Sequence, residues 1–182
     1  MSALITGINH NELVSLVRDA AENVFVTMLG QTIVAGDAYL DNVASPAGNG
    51  VVSFIGLAGA WMGTGSIACS APCACRIASQ LMMAEYSAVD DDVLDAVAEV
   101  TNMILGNVKT DLEERLGPMG LSIPTVIYGR NFASRTVGKQ EWTVVPFDCD
   151  GERLEVQLCL AEQRECARPR LSMSGTAAAL QI

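Results

Sequence analysis

The chain has 182 residues, half of them hydrophobic, and sets 21 acidic against 11 basic side chains for a formal charge of −10. That length allows one domain, or two small halves sharing a core. The few, scattered lysines and arginines exclude the clustered positive charge that a nucleic-acid or anionic-membrane binder needs.

The amino-terminal MSALITGINHNELV lacks a basic region followed by an apolar one, so no signal peptide is expected. Nor does any apolar run reach the roughly 18–20 residues of a membrane span. Composition therefore predicts a soluble, cytoplasmic protein. In residues 11–29, apolar side chains at Leu13, Val17, Ala20, Val24 and Met28 recur at helical spacing. Asn9 or Asn11 serves as cap, and Gly30 is the stop. QTIVAGDAYL (31–40) reads as a strand and DNVASPAGNG as a loop around Pro46. VVSFIGLAGAWMG and GSIACS read as two strands with a tight turn at Gly63-Thr64-Gly65. That G-x-G is too common a pattern to mark phosphate binding without a strand-to-helix frame.

A helix opened by Pro72 is expected over 72–85 and a long one over 90–116. Three strand-like runs follow, PTVIYG, WTVVPF and RLEVQLCLA, the last two joined by the hairpin signal DCDGER. Residues 164–182 have no clear period and are set apart as a carboxy-terminal tail from a domain spanning 1–163.

Six cysteines, Cys69, Cys73, Cys75, Cys149, Cys159 and Cys166, accompany one histidine, His10. CSAPCAC resembles a metal site, but a closed zinc site wants four ligands, commonly in C-x2-4-C pairs. Small buried side chains at a helix start account for the cluster as well. With His10 the sole imidazole, hydrolysis through a Ser–His or Cys–His nucleophile has little to build on. ENVFVTMLG (22–30) and AEVTNMILG (98–106) align at an offset of 76 as a faint internal repeat, each taken as a helix end followed by strands. The predicted fold is α+β: a two-layer sandwich of helices on a mostly antiparallel sheet, with an internal pseudo-twofold repeat.

The segment LDAVAEVTNMILGNVK (94–109) holds a residue that a helix has little use for, Asn102. With Val93 at 0° and about 100° per residue, Val97, Val100, Ile104 and Val108 share one stripe about 80° wide. Asp95, Glu99 and Asn102 fall opposite, at about 200°, 240° and 180°. Glu99 and Asn102 are therefore outward neighbours. A solvated polar face would look the same. The sharper reading is that the carboxylate grips a lysine on a partner and the carboxamide orients a water molecule. Such a pair has no metal, base or nucleophile and would complete a site on another protein. At the offset of 76, Glu99 matches Asn23 and Asn102 matches Val26, which confines this chemistry to the second half.

Residues 12–162 resemble the CheX-type chemotaxis phosphatases of the CheC/CheX/FliY family. The signature D/S-x3-E-x2-N, with a proline after 21 more residues, is carried by Asp95, Glu99, Asn102 and Pro124. VVSFIGLAGAWMGTGSI and VVPFDCDGERLEVQLCLAE fit the family's other strand regions. The resemblance implies hydrolysis of the phospho-aspartate on a CheY-like response-regulator receiver domain, in chemotaxis or another two-component pathway. Glu99 would dock the receiver's lysine and Asn102 would align the attacking water. The protein would need no cofactor of its own, Mg²⁺ belonging to the partner, and a homodimer is implied. Asp95 would tune docking or be no more than an exposed acid near a helix start, and Gly106 would let a partner approach closely or serve as a helix packing spot. Pro124 would set the start of a strand. The alternatives are a receiver-binding adaptor without catalysis and a small-molecule or metal sensor built on the cysteines.

Overall fold

The computed structural model describes residues 8–42, 49–130, 132 and 140–162. Three helices, α1 (His10–Leu29), α2 (Ala71–Met82) and α3 (Asp91–Leu116), pack on one sheet. Its strands are β1 (Val34–Ala35), β2 (Tyr39–Asp41), β3 (Asn49–Gly59), β4 (Trp61–Cys69), β5 (Met119–Leu121), β6 (Thr125–Arg130), β7 (Trp142–Cys149) and β8 (Glu152–Glu162). All pairings are antiparallel, in the order β1–β7–β8–β4–β3–β5, with β2 also on β7 and β6 also on β3. This is the expected α+β sandwich. No helix among the described residues is long and apolar enough to cross a membrane.

Helix boundaries follow local chemistry. Asn9 caps α1 in a reciprocal box: its side chain accepts from the Glu12 amide at 3.0 Å, and its own amide donates to Glu12 at 2.9 Å. Gly30 ends that helix in the left-handed conformation, φ 63°. Ser70 caps α2, with Pro72 in its first turn, and Asp90 caps α3, accepting from the Val93 amide at 3.0 Å. Acidic Asp91 and Asp92 then sit at the positive end of the α3 dipole.

The core lies between the helices and one face of the sheet. Val17, Val24 and Phe25 of α1, Ile77 of α2 and the α3 stripe meet Ile55, Ile67, Phe147, Leu154, Val156 and Leu158, every second residue along the strands. The opposite face carries a smaller cluster of Trp142, Val144 and Cys159.

The pseudo-twofold is written in the strand order. Helix, two short strands and a long hairpin occur twice, as α1-β1-β2-β3-β4 and α3-β5-β6-β7-β8. Each half sends its short strands to the far side of the other half's hairpin: β1 and β2 pair with β7, and β5 and β6 pair with β3. The offset differs from the expected 76. Gly106 lies inside α3, which runs on to Leu116, so the helix ends that correspond are Gly30 and Gly117, 87 residues apart (117 − 30).

Three strand readings also change. The expected strand over 31–40 is two short ones, β1 and β2, separated by Gly36, whose amide donates to the Pro146 carbonyl at 2.8 Å. The β3–β4 turn is at Ala60, and Gly63 and Gly65 lie within β4. Both glycines are there for close approach. A Cβ on Gly63 would overlap the Cys159 carbonyl oxygen, and one on Gly65 would overlap Leu105 Cδ1. The third change is β5, three residues too short to announce themselves by alternation. The DCDGER hairpin is present, with Asp150 (φ 53°) and Gly151 (φ 81°) at its turn. The tail 164–182 and Cys166 lie outside the described residues.

Candidate functional site

α3 is clamped on its inner side. Val93, Ala96, Val97, Val100, Thr101, Ile104, Leu105, Val108, Leu112 and Leu116 are all buried. The Thr101 hydroxyl is turned back onto the Val97 carbonyl at 2.7 Å. Leu105 seats in the space left by Gly65, where a Cβ would also stand 2.8 Å from its Cγ. A helix held this way offers its outer side chains from a fixed base.

Those side chains are Asp95, Glu99 and Asn102, all exposed. Among the described residues none of the three makes a side-chain hydrogen bond or ion pair, whereas Lys109 and Glu113, farther along the helix, are joined at 2.8 Å. Glu99 and Asn102 are three residues apart, about 4.5 Å along the axis and about 60° around it. Gly106 is one turn beyond Asn102 on the same side. Its missing side chain leaves the backbone accessible, with only Leu121 Cδ1 within reach, 3.9 Å from where a Cβ would be. Pro124 immediately precedes β6, as expected for a strand-setting proline.

The first half has no equivalent pair. With the helices aligned at their ends (offset 87), Glu99 matches Glu12 and Asn102 matches Ser15, not Asn23 and Val26. Glu12 is engaged in the Asn9 capping box and, through its other oxygen, with Arg115 at 3.0 Å. The Asn9 amide first, and then Arg115, hold its carboxyl below the usual range. Ser15 has a hydroxyl, 3.5 Å from Asp19 Oδ2, where the second half has a carboxamide.

The family model "Chemotaxis phosphatase CheX" matches residues 51–148, more than half of the chain and all of α3. The chain belongs to the CheX family. Among solved structures it is similar to the CheX of the CheX–CheY–BeF3–Mg²⁺ complex from Borrelia burgdorferi, with 32% identity and TM-score 0.68, covering 82% of this chain and 98% of that one. It is also similar to CheX from Desulfovibrio desulfuricans, with 28% identity and TM-score 0.72, covering 82% and 99%. CheX from Vibrio vulnificus shares the fold at 24% identity and TM-score 0.71, covering 82% and 99%. A search among curated proteins finds no match.

In this CheX-family chain Cys69, Cys73, Cys75 and Cys149 belong to the core and Cys159 to the smaller cluster on the other face of the sheet. Cys69, Cys73, Cys75, Cys149 and Cys159 are free and buried. Among the described residues no group of three His, Cys, Asp or Glu side chains is arranged to hold a metal ion. Contact with Cys73, then burial, pushes the Cys149 thiol up, and burial pushes Cys159 up to about 11. His10 is the first residue of α1 and lies 3.1 Å from the Thr143 hydroxyl, a contact between helix and sheet. Gly65 is the contributor that sequence reasoning missed. Its neighbour Gly63 made both look like turn formers, and only the position of Leu105 reveals the seat.

Proposed function

We propose that this protein hydrolyses the phospho-aspartate of a CheY-like receiver domain, with Glu99 docking the receiver and Asn102 orienting the attacking water. The observation that carries this reading is the exposed, unengaged acid–amide pair on a helix whose opposite side is fully buried. A carboxylate on a rigid base can pair with a lysine at the partner's phosphorylation site. A carboxamide both donates and accepts, so it can hold a water in line with phosphorus without taking its proton. The water oxygen bonds to phosphorus as the bond to the aspartyl oxygen breaks. The carboxylate leaves, and inorganic phosphate carries away the water's proton. The metal ion that neutralises phosphoryl charge is the receiver's. Asp95, one turn before Glu99, tunes docking, and Gly106 lets the receiver come close to the backbone. The Borrelia burgdorferi complex of CheX with CheY, BeF3 and Mg²⁺ supports this division of labour. The same reading has the protein act in the cytoplasm as a homodimer.

The test is the decay of a receiver domain phosphorylated by acetyl phosphate. The unaltered protein should accelerate it, and Asn102→Ala should lose about 10²-fold or more of that acceleration. The urea stability of this variant should stay within about 0.5 kcal/mol of the original. Glu99→Ala should weaken both docking and rate. Full acceleration by Asn102→Ala would refute the assignment, and receiver binding without any acceleration would leave an adaptor.

A further inference from the structure

We propose that Ile123 is an apolar anchor for the phosphorylated receiver, seated beside Glu99 and Asn102; this rests on the phosphatase reading and specifies how the partner is gripped. The feature behind it is a bulge between β5 and β6. Leu57 pairs with Leu121 and Phe54 with Thr125. Two residues of β3, Ile55 and Gly56, therefore face three on the other side, Ser122, Ile123 and Pro124. The extra residue has nowhere to pair within the sheet, and bulges of this kind re-aim a side chain.

Ile123 is 89% exposed, yet it is not loose. Ser122 on one side exchanges two bonds with Gly56: its amide donates to the Gly56 carbonyl at 2.9 Å, and its hydroxyl accepts from the Gly56 amide at 2.8 Å. The same hydroxyl lies 3.0 Å from the Ile123 carbonyl. Pro124 fixes the chain on the other side. A β-branched apolar side chain is thus held out to solvent on a pinned backbone, and little conformational freedom remains to be lost when a partner covers it.

The chain's path places it beside the pair. The Met119 amide donates to Glu113 of α3 at 2.7 Å, and Leu121 lies against Gly106. The strand therefore runs back along α3 toward its amino terminus. Two further residues at about 3.3 Å each equal about four helical residues at 1.5 Å, which brings Ile123 level with Asn102. The bulge breaks the alternation between Leu121 and Thr125, so Ile123 is placed by its exposure and by this path along α3 rather than by strand parity. An ordinary interface covers about 800 Å² per partner, a disc of about 16 Å radius. A receiver centred on Asn102 therefore covers Ile123 as well, and the geometry calls for an apolar cleft next to its phosphorylation site.

The experiment measures kcat and KM on phosphorylated receiver, together with the affinity for receiver bound to beryllofluoride by calorimetry. Ile123→Ala should raise KM and Kd about tenfold, and Ile123→Asp more, with kcat within about twofold. Ile123→Val should restore nearly all of the affinity. Unchanged KM and Kd in Ile123→Asp would overturn the anchor while leaving the phosphatase reading intact, and so would a loss confined to kcat. Receiver binding without acceleration by the unaltered protein would refute hydrolysis instead, with the anchor still decided by the affinities.

Discussion

Replacing Gly65 by alanine sets two opposing effects against each other in the seat of α3. Gly65 has no positive φ, so its backbone accepts alanine, and the loss of unfolded-state freedom alone would stabilise the protein by about 0.4–1 kcal/mol. Against this, the new methyl would overlap Leu105 Cδ1 and stand 2.8 Å from its Cγ. Leu105 is fully buried and cannot swing into solvent, and overpacking of this kind costs about 1–3 kcal/mol. The clash should win, with a net loss of about 1–2 kcal/mol. Leu105→Ala should cost about 2–5 kcal/mol through its cavity. In the double variant the methyl fills part of that cavity, so the combined loss should fall short of the sum by about 1–2 kcal/mol. Urea unfolding of the three variants with a common m-value measures all of this. A Gly65→Ala protein as stable as the original, or strict additivity in the double variant, would refute the seat.

Two further expectations concern the acid limb and the thiols. The Glu12 and Glu113 carboxyls are held below their usual range, Glu12 chiefly by the Asn9 amide and Glu113 chiefly by Lys109. Their contribution is complete above the unfolded value near 4.5 and is lost as pH falls through the lower folded values. Glu12→Gln should therefore flatten the decline of stability below about pH 4.5, as followed by urea midpoints at successive pH values. In a Cys166→Ser protein at pH 8, the buried Cys69, Cys73, Cys75, Cys149 and Cys159 should resist a thiol reagent until denaturant is added. Rapid labelling of the native form would contradict their burial.

The pair Glu99 and Asn102 was legible because helical geometry is local: the spacing of Val93, Val97, Val100, Ile104 and Val108 is enough to orient the opposite face. Caps and the Asp150-Gly151 hairpin were legible for the same reason, each being settled by a few adjacent residues. Gly63 and Gly65 misled because a glycine that relieves a clash with Cys159 or Leu105 looks locally like one that makes a turn. The repeat was placed at the wrong offset because Gly30 and Gly106 match in type, although one ends a helix and the other sits inside one. Ile123 gave no signal at all. A bulge exists only as a mismatch between two strands, and no single strand encodes it.

The exchange of short strands between halves has a consequence for how the protein comes into being. β8 is the last strand of the described chain and lies at the middle of the sheet, between β7 and β4. Until the ribosome has released residues through Glu162, β4 has an open edge, and β1 and β2 have no partner until β7 has emerged through Cys149. The sheet of the first half therefore cannot close ahead of the second, although the strands on which α3 chiefly packs, β3 to β6, are all made once Arg130 is out. The order of synthesis thus supplies the strands beneath the helix that carries Asn102 before it supplies the strand that joins the two hairpins.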